Sequence, residues 1–126
     1  MANMSLANEY ADRALQAFAE RAPECARALK AAPAELRNSA RQVLAASDFV
    51  ADALARDEAL LPALLARAPQ RLAGALPLPE ASPTAADGDD ALFMDGLRRW
   101  RRAELARIAW RDLAGWASLP ETLLEL

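Results

Sequence analysis

Five residues decide what this chain cannot become: among its 126 positions, only Val43, Val50, Thr84, Ile108 and Thr122 are β-branched. A sheet needs runs of such residues or strict apolar–polar alternation, and neither occurs. Alanine and leucine dominate instead, with large apolar residues recurring three and four apart. The sequence therefore predicts an all-α protein, an irregular bundle of about six to seven helices with the last one truncated. Alanine supplies much of the 54% apolar content but little area to bury. The core must rest on Leu, Phe, Trp and a few Val and Ile.

Prolines and short hydroxyl or acidic side chains punctuate the helices. Ser5 is a suitable cap for a first helix that carries Leu6, Tyr10, Ala14 and Phe18 in one stripe and stops before Pro23. Pro23 and Pro33 suit the first turns of two more helices, because a proline there gives up an amide that has no intrahelical partner. The second helix is short, over residues 24–32, and the third turns Leu36, Ala40, Val43 and Leu44 inward. Ser47 and Asp48 start a fourth, with Phe49, Val50, Ala53 and Leu54 as its buried stripe. Asp57 breaks or re-caps the chain. Leu60, Leu61, Leu64 and Leu65 then mark a helix in which Pro62 either opens the regular part or kinks it.

Residues 77–90 turn to Pro, Ala, Ser, Thr, Gly and Asp, the composition of an exposed, flexible connection. It separates a helical region, residues 1–76, from residues 91–126. There a long helix is predicted over residues 91–116, and Ser118 with Glu121 three residues on forms a capping box for a further helix. So short a helix, already carrying Leu123, Leu124 and Leu126, is unstable alone, which implies that Leu126 is not a natural domain end.

Chemistry-bearing patterns are few. Cys25 is the single cysteine and histidine is absent, which leaves no internal disulfide, zinc cluster or Cys–His pair. Asp87, Gly88, Asp89 and Asp90 resemble the start of a calcium loop, but the remaining ligands and the closing glutamate are missing, so a solvated loop is expected. No catalytic, cofactor-binding or metal-ligating residue is predicted. No leader or membrane span is recognisable, which points to the cytoplasm. The net charge of -3 argues against a nucleic-acid partner.

One charged feature stands out. Arg98, Arg99, Arg101, Arg102, Arg107 and Arg111 face only Glu104 within their span. Guanidinium groups bind phosphate in a bidentate manner, so the cluster is a candidate for phosphate contacts. Arg101 and Arg107 lie three residues from Glu104, and Asp95 lies three and four before Arg98 and Arg99, the spacing of helix-surface ion pairs. Structural or interdomain pairing is therefore the preferred role. Trp100, Ile108 and Trp116 are the candidate packing anchors.

The run Leu97-Arg98-Arg99-Trp100-Arg101-Arg102-Ala103-Glu104-Leu105-Ala106-Arg107-Ile108-Ala109-Trp110-Arg111-Asp112-Leu113-Ala114-Gly115, followed by Ser118-Leu119-Pro120-Glu121-Thr122-Leu123, closely resembles the N-terminal region of bacterial glutamine synthetase adenylyltransferase. Ser47-Asp48-Phe49-Val50-Ala51 is a second, shorter match. Together the resemblance covers roughly residues 41–65 and 92–126. It implies a bifunctional enzyme, several times longer, with two nucleotidyltransferase domains that use ATP and magnesium. One removes AMP from a tyrosine of glutamine synthetase by phosphorolysis, the other attaches it, and glutamine and PII proteins set the balance. The glycine-rich turn and Asp-x-Asp pair of that chemistry are missing here. The resemblance thus implies a helical lead-in to the adenylyl-removing domain, with the rest of its own polypeptide, glutamine synthetase and a PII protein as partners. The alternative is a stand-alone helical module that binds glutamine synthetase or a PII protein.

Overall fold

The computed structural model describes residues 2–79 and 89–126, and all of their regular structure is helical. In chain order the elements are α1 (Ala2–Arg21), α2 (Pro23–Lys30), α3 (Ala34–Ala46), α4 (Asp48–Arg56), α5 (Leu60–Leu65), a 3-10 turn (Ala68–Gln70), α6 (Asp89–Leu113) and α7 (Leu119–Glu125). The all-α bundle expected from the sequence is what forms. Most of the predicted connection, including the Asp87-Gly88 pair, lies outside the described residues.

Local chemistry explains most boundaries. Pro23 is the first residue of α2, whereas Pro33 sits one position before α3 with φ -52 and ψ 146, so it caps that helix rather than joining it. The Ser47 hydroxyl oxygen accepts the Val50 amide at 3.1 Å and starts α4. Asp57 ends it and accepts the Ala59 amide at 3.1 Å, turning the chain into α5. Pro62 lies within the first turn of α5, where its missing amide costs no helical bond.

Three expectations need correction. α1 begins at Ala2, so Ser5 lies inside the helix instead of capping it; no proline or glycine interrupts residues 2–5, and the helix runs through. Leu6 and Tyr10 are 63% and 62% exposed. α1 packs against α2 and α3, with Phe18 buried, Leu15 half-buried and Asp12 paired with Arg41 of α3 at 2.8 Å. Phe49 is likewise 45% exposed, while Val50, Ala53 and Leu54 are buried as predicted.

α6 starts at Asp89 and ends at Leu113, three residues short of the predicted end. Gly115, at φ +76, takes the left-handed conformation that stops it. The Gly115 amide donates to the Asp112 carbonyl at 3.1 Å and the Trp116 amide to the Arg111 carbonyl at 2.8 Å, the paired bonds of a Schellman motif.

One apolar core joins these elements. Phe18, Leu29, Leu36, Val43, Leu44, Val50, Leu54, Leu60, Leu61, Leu64, Leu72 and Leu76 share it with Ala106 and Trp110 of α6. α6 packs against α3 and α4, and α7 packs on α6. Each fully buried leucine contributes on the order of 1.5–3 kcal/mol, so this cluster dominates stability. Cys25 is half-buried, and its thiol donates to the Leu54 carbonyl at 3.6 Å. Burial, then the charges of Glu58 and Glu24, push its pKa up, as suits a small, unreactive core residue.

Candidate functional site

The face that α6 turns to the bundle carries a charge among its apolar residues. Trp100, Ala103, Ala106, Arg107, Trp110, Leu113 and Ala114 point inward, a stripe in which alanines leave room for two tryptophans and an arginine. Trp110 is completely buried, and its indole N–H donates to Ser39 Oγ at 2.8 Å. Ser39 in turn donates to the Leu36 carbonyl at 2.7 Å. Trp100 is half-buried and donates to the Leu76 carbonyl at 2.9 Å.

Arg107 is the centre of the polar interior at 1% exposure. Its Nε and one terminal nitrogen reach the two Glu104 oxygens, each at 2.9 Å. The same terminal nitrogen donates to Glu125 Oε2 at 2.6 Å, and the other donates to the Leu72 carbonyl at 2.9 Å. Glu104 also accepts the Leu76 amide. Burial alone would push the Glu104 carboxyl up, but the Arg107 hydrogen bonds, the Leu76 amide and the charges of Arg107 and Arg67 outweigh it, and the net direction is down. Burial works against the Arg107 charge, yet Glu104 and Glu125 hold its pKa above the ordinary value. Both groups stay charged at neutral pH.

Arg111 extends the network to α7. It donates to Glu125 Oε1 at 2.8 Å and to the Arg71 carbonyl at 3.2 Å. Arg71 and Leu72 have φ of +53 and +61, a left-handed pair that costs about 1–2 kcal/mol per residue. The two arginines of α6 therefore take the carbonyls of this strained turn. Glu125 bridges both arginines, and Thr122 donates to Asp112 at 3.1 Å, so the inner face of α7 is polar. Its leucines point the other way: Leu119, Leu123, Leu124 and Leu126 are 67%, 62%, 87% and 58% exposed.

The six arginines thus divide. Arg107 and Arg111 serve the interior: Arg107 makes the pair with Glu104 that their three-residue spacing predicts, and both arginines also pair with Glu125 of α7. Their further partners lie in the 71–76 turn and in α7, which the helical spacing of α6 does not reveal. Arg99 pairs with Asp57 at 2.8 Å, not with Asp95, and Arg98 pairs with Asp95 at 2.9 Å. Arg101 and Arg102 have no ion pair among the described residues. Of the candidate packing anchors, Ile108 is buried at 4% exposure, and Trp100 and Trp116 are half-buried against the core. Sequence reasoning missed Trp110, Ser39 and Glu125. Trp110 stands three and four residues from Arg107 and Ala106, a signal hidden because the inward stripe contains a charge.

Beside the locked side of α6 lies an open groove lined by Phe49, Met94, Leu97, Leu105 and the edge of Trp100, with Arg98, Arg101 and Arg102 among them. The described residues hold no group of three or more His, Cys, Asp or Glu side chains placed to bind a metal. No helix among them is long and apolar enough to cross a membrane.

Comparison with known proteins bears on residues 36–126, which match the family model described as "Glutamate-ammonia ligase adenylyltransferase". The "Bifunctional glutamine synthetase adenylyltransferase/adenylyl-removing enzyme" of Xanthomonas oryzae pv. oryzae is 37% identical over 127 aligned positions, covering 95% of this chain and 12% of that protein. The enzyme of the same description from Xanthomonas campestris pv. campestris is 40% identical over 119 positions, covering 90% and 12%. That of Pseudomonas aeruginosa is 39% identical over 107 positions, covering 78% and 10%. The chain spans about 12% of the length of the Xanthomonas relatives. No solved structure matches.

Proposed function

The chain belongs to the glutamate-ammonia ligase adenylyltransferase family, and we propose that it acts as the N-terminal helical lead-in to the adenylyl-removing half of such an enzyme. In this reading it performs no chemistry itself. The bundle holds α6 rigid and presents its outer face to the nucleotidyltransferase domain of the same polypeptide. Removal of AMP from glutamine synthetase, with phosphate as acceptor, takes place on that domain. ATP and magnesium serve the complete enzyme, glutamine synthetase is its substrate, and a PII protein regulates it in the cytoplasm.

The observation that supports this reading is the division of α6, which lies within the matched stretch. Its inner side carries buried ion pairs and a fully buried tryptophan, while its outer side shows Arg101 and Arg102 without an ion pair among the described residues, next to an exposed Met94. Such a helix is a scaffold with one side still to be covered.

The test is made in a complete enzyme of this family that carries the chain, with Arg101→Glu and Arg102→Glu introduced together. Release of AMP from adenylylated glutamine synthetase should fall at least about tenfold, or 1.4 kcal/mol. Attachment from ATP should fall much less. Unchanged release, or equal loss of both activities, would overturn the assignment to the adenylyl-removing half.

A further inference from the structure

Along the outer side of α6, Met94, Leu97, Arg98, Arg101 and Leu105 recur three and four residues apart, and Phe49 of α4 stands beside them. Phe49 and Met94 are 45% and 47% exposed, while Leu97 and Leu105 are half-buried and form the floor. The charges around this floor are of one sign. Arg98 is satisfied only by Asp95, in a pair whose side chains are 69% and 66% exposed, and such pairs are worth little. Asp52 feels the charge of Arg102, but its two oxygens already pair with Arg21 at 2.8 Å and Arg56 at 3.0 Å.

We propose that this groove binds an amphipathic α-helix whose apolar stripe is flanked by aspartate or glutamate. Apolar residues three and four apart on one helix receive the matching stripe of another, the usual geometry of helix-in-groove recognition. Covering the floor also removes water from Arg101 and Arg102, so the occupant has to bring carboxylates within reach of them. A nucleic acid satisfies the guanidinium groups but leaves Met94, Leu97, Leu105 and Phe49 wet, and it meets a chain of net charge -3. The proposal rests on the docking role above only for who supplies the helix; the chemistry of the groove stands on these residues.

The test uses the 126-residue chain and a fluorescein-labelled synthetic helix of about 20 residues, with one leucine stripe flanked by glutamate. Its twin carries lysine in place of glutamate. Fluorescence anisotropy should show saturable binding of the glutamate helix, several-fold weaker at about 0.3 M salt than at about 0.05 M. The lysine twin should not bind. Arg101→Glu/Arg102→Glu should weaken binding at least about tenfold, and Phe49→Ser or Met94→Gln by a similar factor. Circular dichroism melts should match the parent, since these side chains have little part in the core.

Equal binding of the two helices, no effect of the charge reversal, or stronger competition by a single-stranded oligonucleotide would overturn the proposal. So would sedimentation showing the groove filled by a second copy. Loss of AMP release in the complete enzyme together with equal binding of the two helices would leave the lead-in role standing and remove this one. The reverse pattern would do the opposite.

Discussion

Arg107 shows how much a single side chain decides in this bundle. A guanidinium at 1% exposure is costly to desolvate, and the cost is met only because Glu104, Glu125 and the Leu72 carbonyl take its donors. By contrast, the Arg21–Asp52 and Arg27–Glu24 pairs have side chains 41–82% exposed, and solvent screens them to a minor contribution. Arg107→Met should therefore cost about 3–5 kcal/mol in denaturant unfolding, because Glu104 is left buried and unpaired. Adding Glu104→Gln should recover part of that, since the amide oxygen can still accept from Leu76 without a charge. Acid acts on the same pair. Glu104 binds its proton less readily in the fold than in the unfolded chain, so its contribution is complete above the ordinary carboxyl pKa of about 4.3 and is lost as pH falls through the lower, folded value. A melting profile should be flat near neutrality and decline in that acid range, less steeply in Glu104→Gln. An identical decline in both proteins would place the acid sensitivity elsewhere.

At the scale of elements, stops are written more clearly than faces. Ser47, Asp57, Ser118 and Gly115 each end or begin a helix through a bond that their own side chain or backbone makes. Gly115 is a stop signal in the sequence, but Trp116 beyond it continues the helical apolar spacing and masks it. Nothing lies within 4 Å of where a Gly115 Cβ would stand, so any penalty for adding one comes from φ +76 alone. Gly115→Ala should therefore cost about 1 kcal/mol and raise amide exchange at residues 114–116. No loss of stability would mean that the turn relaxes without the glycine. Faces were harder to read. α6 turns Arg107 inward and Leu97 outward, and α7 turns Glu125 inward and its leucines outward.

For the whole molecule, the same inversion shows that residues on either side of the proline-rich connection share one core. Trp110 of α6 is hydrogen-bonded to Ser39 of α3, 71 positions away in sequence, and α6 also packs on α4. Unfolding should then be a single transition, with tryptophan fluorescence and far-ultraviolet circular dichroism giving the same midpoint in urea. Midpoints that separate would mean that residues 91–126 come away before the rest. Helix content, most helix boundaries and the family were all legible in the sequence, because they depend on local backbone preference, on caps a few residues away and on a long continuous motif. The sequence also placed the arginines on one helix. Which of them are buried, which carbonyls of the 71–76 turn they hold, and why Phe49 and the leucines of α7 face outward were decided only by the tertiary structure. A charge can lie inside when partners from distant segments converge on it, and no pattern within one helix records where those partners will stand.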